Sequence, residues 1–149
     1  MKRLLSLGFV CALTITTAAQ WQNPPAGVPA YHPAPPPKTK KLPPILSGDQ
    51  LTGGHFKYPF QAHSYRLAAK IDRVLYQLPC YCYCDRSVGH KSLRTCFESD
   101  HSAHCSTCMQ EAFYAYKQVK AKKTVKQIRE GIIRGEHQLI DLRFASSIE

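Results

Sequence analysis

Cys80, Cys82 and Cys84 stand at alternate positions, spaced by Tyr81 and Tyr83, and Cys96, Cys105 and Cys108 follow within the next 24 residues. His90, His101 and His104 lie in the same stretch and add imidazole donors. Thiolates at this density suit soft ions: Cu(I), Zn(II) or an iron–sulfur cluster. In an extended strand, neighbouring thiols of the alternation would have Cα atoms about 6.6 Å apart, at the outer edge of unstrained disulfide geometry. Cys80 and Cys84 would stand roughly 13 Å apart, too far to share one ion with bonds near 2.3 Å. The segment therefore curls into a turn around a metal, gives its thiols to different partners, or collects more than one soft ion. Six thiols within 29 residues exceed what one tetrahedral ion requires, which favours a Cu(I) cluster or a binuclear site.

Helical patterns flank the thiols. A first helix is expected from Ser64 to Leu78, with Ala68, Ile71, Leu75 and Leu78 on one stripe and Pro79 as the stop. A second is expected from His101 to about Val119, with Met109, Ala112, Phe113 and Tyr116 apolar. That helix would put His101, Cys105 and Cys108 at i, i+4 and i+7 on one stripe, with His104 alongside. Thr124 and Gln127 fit a capping box for a third helix that stops at Gly135. The apolar tail with Leu139, Ile140, Leu142 and Phe144 would dock as a strand or helical turn.

The fold class is thus mainly α, a small three-helix domain over residues 61–149 with the cysteine-rich segment between its first two helices. A Pro-rich linker, residues 20–60, precedes it. Nine of the eleven prolines fall between Pro24 and Pro44, which favours solvated polyproline II backbone and a spacer or disordered tether. A packable unit on the order of 90 residues has a modest hydrophobic stability margin, so covalent or metal staples help.

Residues 1–19 read as a secretory signal. Lys2 and Arg3 start it, an apolar run continues it, and Thr17-Ala18-Ala19 offers small residues for cleavage. Cys11 is framed by Val10, bulkier than lipid-attachment processing prefers, so removal is preferred to membrane anchoring through Cys11. The expected location is periplasmic or extracellular, in the cell envelope. The mature chain would carry six cysteines in a compartment that permits disulfides.

Net charge is +10, and +8 without Lys2 and Arg3, with the positive residues concentrated from Lys117 to Arg134. The patch lacks the interleaved aromatics of a nucleic-acid surface, and a solvated helical face is expected instead. Haem attachment is set aside because Met109, not histidine, follows Cys105-Ser106-Thr107-Cys108. A zinc ribbon needs a second Cys-x-x-Cys pair, and a thioredoxin-like site needs a βαβ context.

Pro79-Cys80-Tyr81-Cys82-Tyr83-Cys84, Gly89-His90-Lys91-Ser92-Leu93, Cys96-Phe97, His101, Cys105-x-x-Cys108 and Ile128-Arg129-Glu130 together resemble the bacterial family named for its PCYCGC motif. The resemblance runs from about Leu75 to Glu136 and implies export and a shared cysteine constellation. It supplies no activity, since the family's function is not established. Tyr83 stands where the motif has glycine, which would loosen the turn, and lipid attachment, frequent in the family, is poorly framed here.

The leading expectation is an exported metal-handling protein, not an enzyme, with Cys80, Cys82, Cys84, Cys96, Cys105 and Cys108 as thiolates and His101, His104 or His90 completing coordination. Its partners would be the metal ion and envelope metal-trafficking or redox proteins. The alternatives are a structural or interaction domain stapled by three disulfides, and a thiol–disulfide oxidoreductase working through Cys105 and Cys108.

Overall fold

The computed structural model describes residues 26–149. The leader read at residues 1–19, Cys11 and the first prolines lie outside the described residues.

Pro59 opens the first helix, α1 (Pro59–Lys70), where its fixed φ and missing N–H suit the first turn. The Gln61 side chain turns back to accept from the Tyr58 N–H at 2.7 Å. Ser64, the expected start of the helix, is instead buried inside it, its hydroxyl donating to the Gln61 carbonyl at 2.7 Å. The expected single helix also divides. Ile71 leaves helical geometry at φ −126° and ψ 27°, and a one-turn helix, α2 (Asp72–Leu75), carries the chain on to Pro79. A further single turn, α3 (Cys84–Ser87), follows the first thiols.

The expected helix from His101 to Val119 breaks as well. Asp100–His104 is a 3-10 turn, Cys105 is extended at φ −125° and ψ 106°, and α4 (Ser106–Lys120) begins after it. His101, Cys105 and Cys108 therefore do not share a helical stripe. The Ser99 hydroxyl accepts from the His101 N–H and supports a short turn of its own. The third long helix, α5 (Val125–Ile133), follows the sequence closely: Thr124 and Gln127 form the capping box, and Gly135 takes the left-handed conformation at φ 80°. The tail forms 3-10 turns at Glu136–Leu139 and Ala145–Ser147, and the described residues contain no strand.

α1 packs chiefly on α4, and α5 closes the other side of α4. Tyr65, Phe97, Phe113, Leu75, Leu78 and Ile132 are fully enclosed between them. Each such side chain contributes on the order of 1.5–3 kcal/mol through burial. Gly131 is needed in α5 because an added Cβ would stand 1.9 Å from the Tyr114 hydroxyl.

From residue 26 to residue 57 the chain runs along the domain without regular structure beyond a 3-10 turn at Gly48–Leu51, changing direction at turns near residues 38–39 and 53–55. Proline-rich backbone has few donors of its own, so its carbonyls take theirs from the domain. Arg73 donates to the Pro36 carbonyl and buried Arg94 to that of Pro43. The Leu46 N–H donates to the Phe97 carbonyl at 3.1 Å, and Ile45 and Leu51 are buried.

Candidate metal centre

Pro79 ends the approach from α2, and the next residues turn back on themselves instead of extending. The Tyr83 N–H donates to the Cys80 carbonyl at 3.1 Å, and Tyr83 itself adopts φ 57° and ψ 28°. This left-handed geometry costs an L-residue roughly 1–2 kcal/mol and a glycine nothing comparable. The tyrosine ring is covered by the Arg86 guanidinium, whose central carbon lies 4.2 Å from the ring centroid. This turn is what turns the Cys80, Cys82 and Cys84 side chains toward one volume.

Two further connections complete the enclosure. The Leu93 N–H donates to the Leu78 carbonyl at 2.9 Å, which folds the loop back and sets Cys96 against Cys84. On α4, Glu111 is fully buried and its Oε1 accepts from the Tyr81 N–H at 2.7 Å. Glu111 lies one helical turn beyond Cys108, so the same face of α4 supplies a thiol and the clamp for the opposing loop. His137, also buried, stacks on the Tyr81 ring from behind.

The result is a sulfur-lined centre. Cys80 Sγ lies 3.4 Å from Cys82 Sγ and 3.3 Å from Cys108 Sγ, and Cys108 lies 3.6 Å from Cys82. Cys84 and Cys96 are 3.3 Å apart. These separations are far longer than a disulfide bond of about 2.05 Å and near the roughly 3.8 Å edge of a tetrahedron with 2.3 Å metal–sulfur bonds. The six cysteines among the described residues are free thiols, and no disulfide occurs among those residues.

Two sets of donors can each hold an ion: Cys80, Cys82, Cys96 and Cys108, and Cys82, Cys84, Cys96 and His101, the ligand atoms of each set lying within 4.8 Å of one another. Cys82 and Cys96 belong to both. His101 Nε2 is buried and has no hydrogen-bond partner, a vacancy in polar satisfaction that a metal would fill. His90 is placed differently: its Nδ1 faces Cys96 Sγ at 3.3 Å and its ring meets that of His101 edge-on, so it acts on the sulfur and not in either donor set. Cys105 joins neither set but interacts with the Cys82 and Cys108 thiols at the edge of the centre. His104 points away, into a separate group with His55 and Asp100.

Two thiols are held below the usual range: Cys84, chiefly by the Cys80 S–H, and Cys82. S–H groups of Cys105, then Cys108, Cys80 and Cys84, donate to it and hold it well below the usual thiol range. Cys80 is pushed up by its partners Cys108 and Cys82, and Cys108 by Cys105. Cys82 is only half-buried, whereas Cys80, Cys84, Cys96 and Cys108 are buried, so of the two lowered thiols it is the one open to solvent. A cleft of about 540 Å³ runs from solvent to Cys82, Cys84 and Cys105. Burial pushes the Glu111 carboxyl up to about 8, against the opposing pull of the Cys80 thiol and the Tyr81 N–H.

Glu111 and His55 were not among the sequence candidates. Glu111 had a readable signal, an acidic residue one turn from Cys108 on a face otherwise carrying Ala112 and Ala115. His55 had none beyond its residue type.

No curated protein and no solved structure matches the chain. The family described as "Protein of unknown function with PCYCGC motif" matches residues 55–138, more than half of the sequence and all six thiols of the centre, and the chain belongs to that family.

Proposed function

We propose that the protein binds and hands on a soft metal ion in the cell envelope, holding it in a thiolate centre that accommodates two ions, with Cu(I) first and Zn(II) second in preference. The observation that carries this reading is the sharing of Cys82 and Cys96 between two adjacent donor sets. Thiolate sulfur has lone pairs enough to bridge two ions, and soft ligands select Cu(I) and Zn(II) over harder cations. Cys80 and Cys108 would complete one ion, Cys84 and His101 the other.

The chain's own residues supply the rest. Glu111 fixes the thiol-bearing turn to α4, His90 donates to or accepts from the Cys96 sulfur, and the half-open Cys82 offers the first thiolate to an incoming ion. The role is binding and transfer, not catalysis, and its partners are envelope proteins that deliver or accept the metal. The leader read at residues 1–19 supports an exported setting.

The test is an anaerobic Cu(I) titration of the purified reduced chain, with thiols and metal counted on protein isolated from its export compartment. Two equivalents of Cu(I), with thiols masked until a chelator is added, are expected. Recovery of all six cysteines as three disulfides would replace this reading with a stapled structural domain. Insulin reduction dependent on Cys105 and Cys108 would replace it with an oxidoreductase.

A further inference from the structure

Outside the sulfur centre, three side chains with metal-ligand chemistry converge. His55 Nδ1 lies 2.8 Å from His104 Nε2 and 3.2 Å from Asp100 Oδ2, and His104 Nε2 lies 3.7 Å from the same oxygen. The two imidazole rings meet nearly at right angles, with centroids 5.0 Å apart. We propose that His55, Asp100 and His104 form a second cation site, for a borderline divalent ion such as Zn(II), chemically separate from the thiolate centre.

Donor type and geometry carry the proposal. Two imidazole nitrogens and a carboxylate oxygen, with no sulfur, suit Zn(II) or its neighbours, whereas Cu(I) prefers the thiolates. A tetrahedral ion with bonds of 2.0–2.1 Å has ligand–ligand edges of roughly 3.3–3.4 Å, close to the His55–Asp100 separation and between the other two. Opening the imidazole pair by about half an ångström would seat the ion. Three protein ligands leave a fourth position for water or an incoming group, the pattern of an exchangeable site. The side chains are 60% (His55), 46% (Asp100) and 55% (His104) exposed, so a hydrated ion reaches them directly.

The fold holds both halves of this site through one residue. The Tyr65 hydroxyl donates to the Ser99 carbonyl at 2.7 Å and accepts from the Ala103 N–H at 3.1 Å, fixing the 3-10 turn that presents Asp100 and His104. The Tyr65 ring also meets Phe56 edge-on at 5.3 Å, and Phe56 directly follows His55. Gln61 adds a hydrogen bond from Nε2 to the Ala103 carbonyl at 2.7 Å. Asp100 and His104 border the same cleft as Cys82 and Cys105, so the second site stands at the mouth of the path to the thiols.

The proposal stands on residues that the thiolate reading does not use, and cobalt separates the two. The full chain is titrated anaerobically with Co(II): sulfur ligation produces an intense near-ultraviolet charge-transfer band, and nitrogen and oxygen ligation does not. His55→Ala is expected to remove one equivalent of bound cobalt, or weaken it at least about 10-fold, the loss that even outer-shell partners commonly produce, while leaving the sulfur band at full amplitude. His104→Gln should do the same, and an unchanged helical circular-dichroism signal certifies both folds. Unchanged cobalt stoichiometry and affinity in both variants, or a sulfur band that falls with them, overturns the site. A missing sulfur band with a His55-dependent equivalent retained would overturn the thiolate reading and leave this one standing.

Discussion

The sulfur centre and the His55–Asp100–His104 group lie along one cleft yet are built on opposite terms. The first gathers thiols from three lengths of chain, the Cys80–Cys84 turn, the 3-10 turn that carries Cys96 and the start of α4, with four of its six sulfurs buried. The second sets three half-exposed side chains on the rim. Burial in the first removes competing water, strengthens each polar contact and demands that every donor be satisfied. Exposure in the second leaves ligands free to exchange. Donor softness and solvent access point the same way in each region, toward retention inside and exchange at the mouth.

Removing a shared donor should separate the two regions most sharply. Cys82→Ser takes a thiolate from both inner sets, so both Cu(I) equivalents should weaken by about 100-fold or more in competition with a Cu(I) chelator, while His104→Gln leaves Cu(I) affinity unchanged. Equal losses in the two variants would merge the regions into one site.

A pH series probes the inner region alone. The folded Glu111 carboxyl keeps its proton up to about 8, whereas its ordinary value is 4.5, so between these limits the unfolded chain binds fewer protons. Stability of the metal-free protein should therefore fall as pH rises from about 4.5 to 8, and Glu111→Gln, which keeps an acceptor for the Tyr81 N–H, should flatten that fall. Denaturant midpoints across the window check it, and parallel slopes in the two proteins would assign the dependence elsewhere.

Tyr65→Phe tests the support of the rim. It strips a partner from the Ser99 carbonyl and the Ala103 N–H at a cost of about 1–3 kcal/mol in denaturant unfolding, and Co(II) affinity at the rim should drop while the sulfur band is kept. The smallest effect is expected at the turn. Tyr83→Gly releases left-handed strain of roughly 1–2 kcal/mol but loses the Arg86 contact, worth about 0.5–1 kcal/mol, so stability should hold or rise slightly. Tyr83→Val, β-branched at positive φ, should lower both stability and Cu(I) uptake.

What was legible in the chain was local. Thr124, Gln127 and Gly135 act within one helix, and the structure places them where their spacing indicates. The thiol turn was half legible: alternation shows that the sulfurs must either extend or curl, but the choice rests on Tyr83 at φ 57°, a conformation that tyrosine does not advertise and the motif's glycine would have. The helix expected from His101 failed because periodicity continues through Cys105 while the backbone there is extended. His55 was illegible because its partners are 45 and 49 residues away, and only the folding of residues 26–57 along the domain brings it to them.

The half-open position of Cys82 sets the kinetics of release on the proposed reading. Cys80, Cys96 and Cys108 are sealed and stand off the cleft, so a competing thiol approaches the ions from the cleft side, where half-buried Cys82 is the most exposed sulfur of the two donor sets. Unloading would then proceed by ligand exchange at one corner, at a rate that climbs with acceptor concentration and stays low when no acceptor is present.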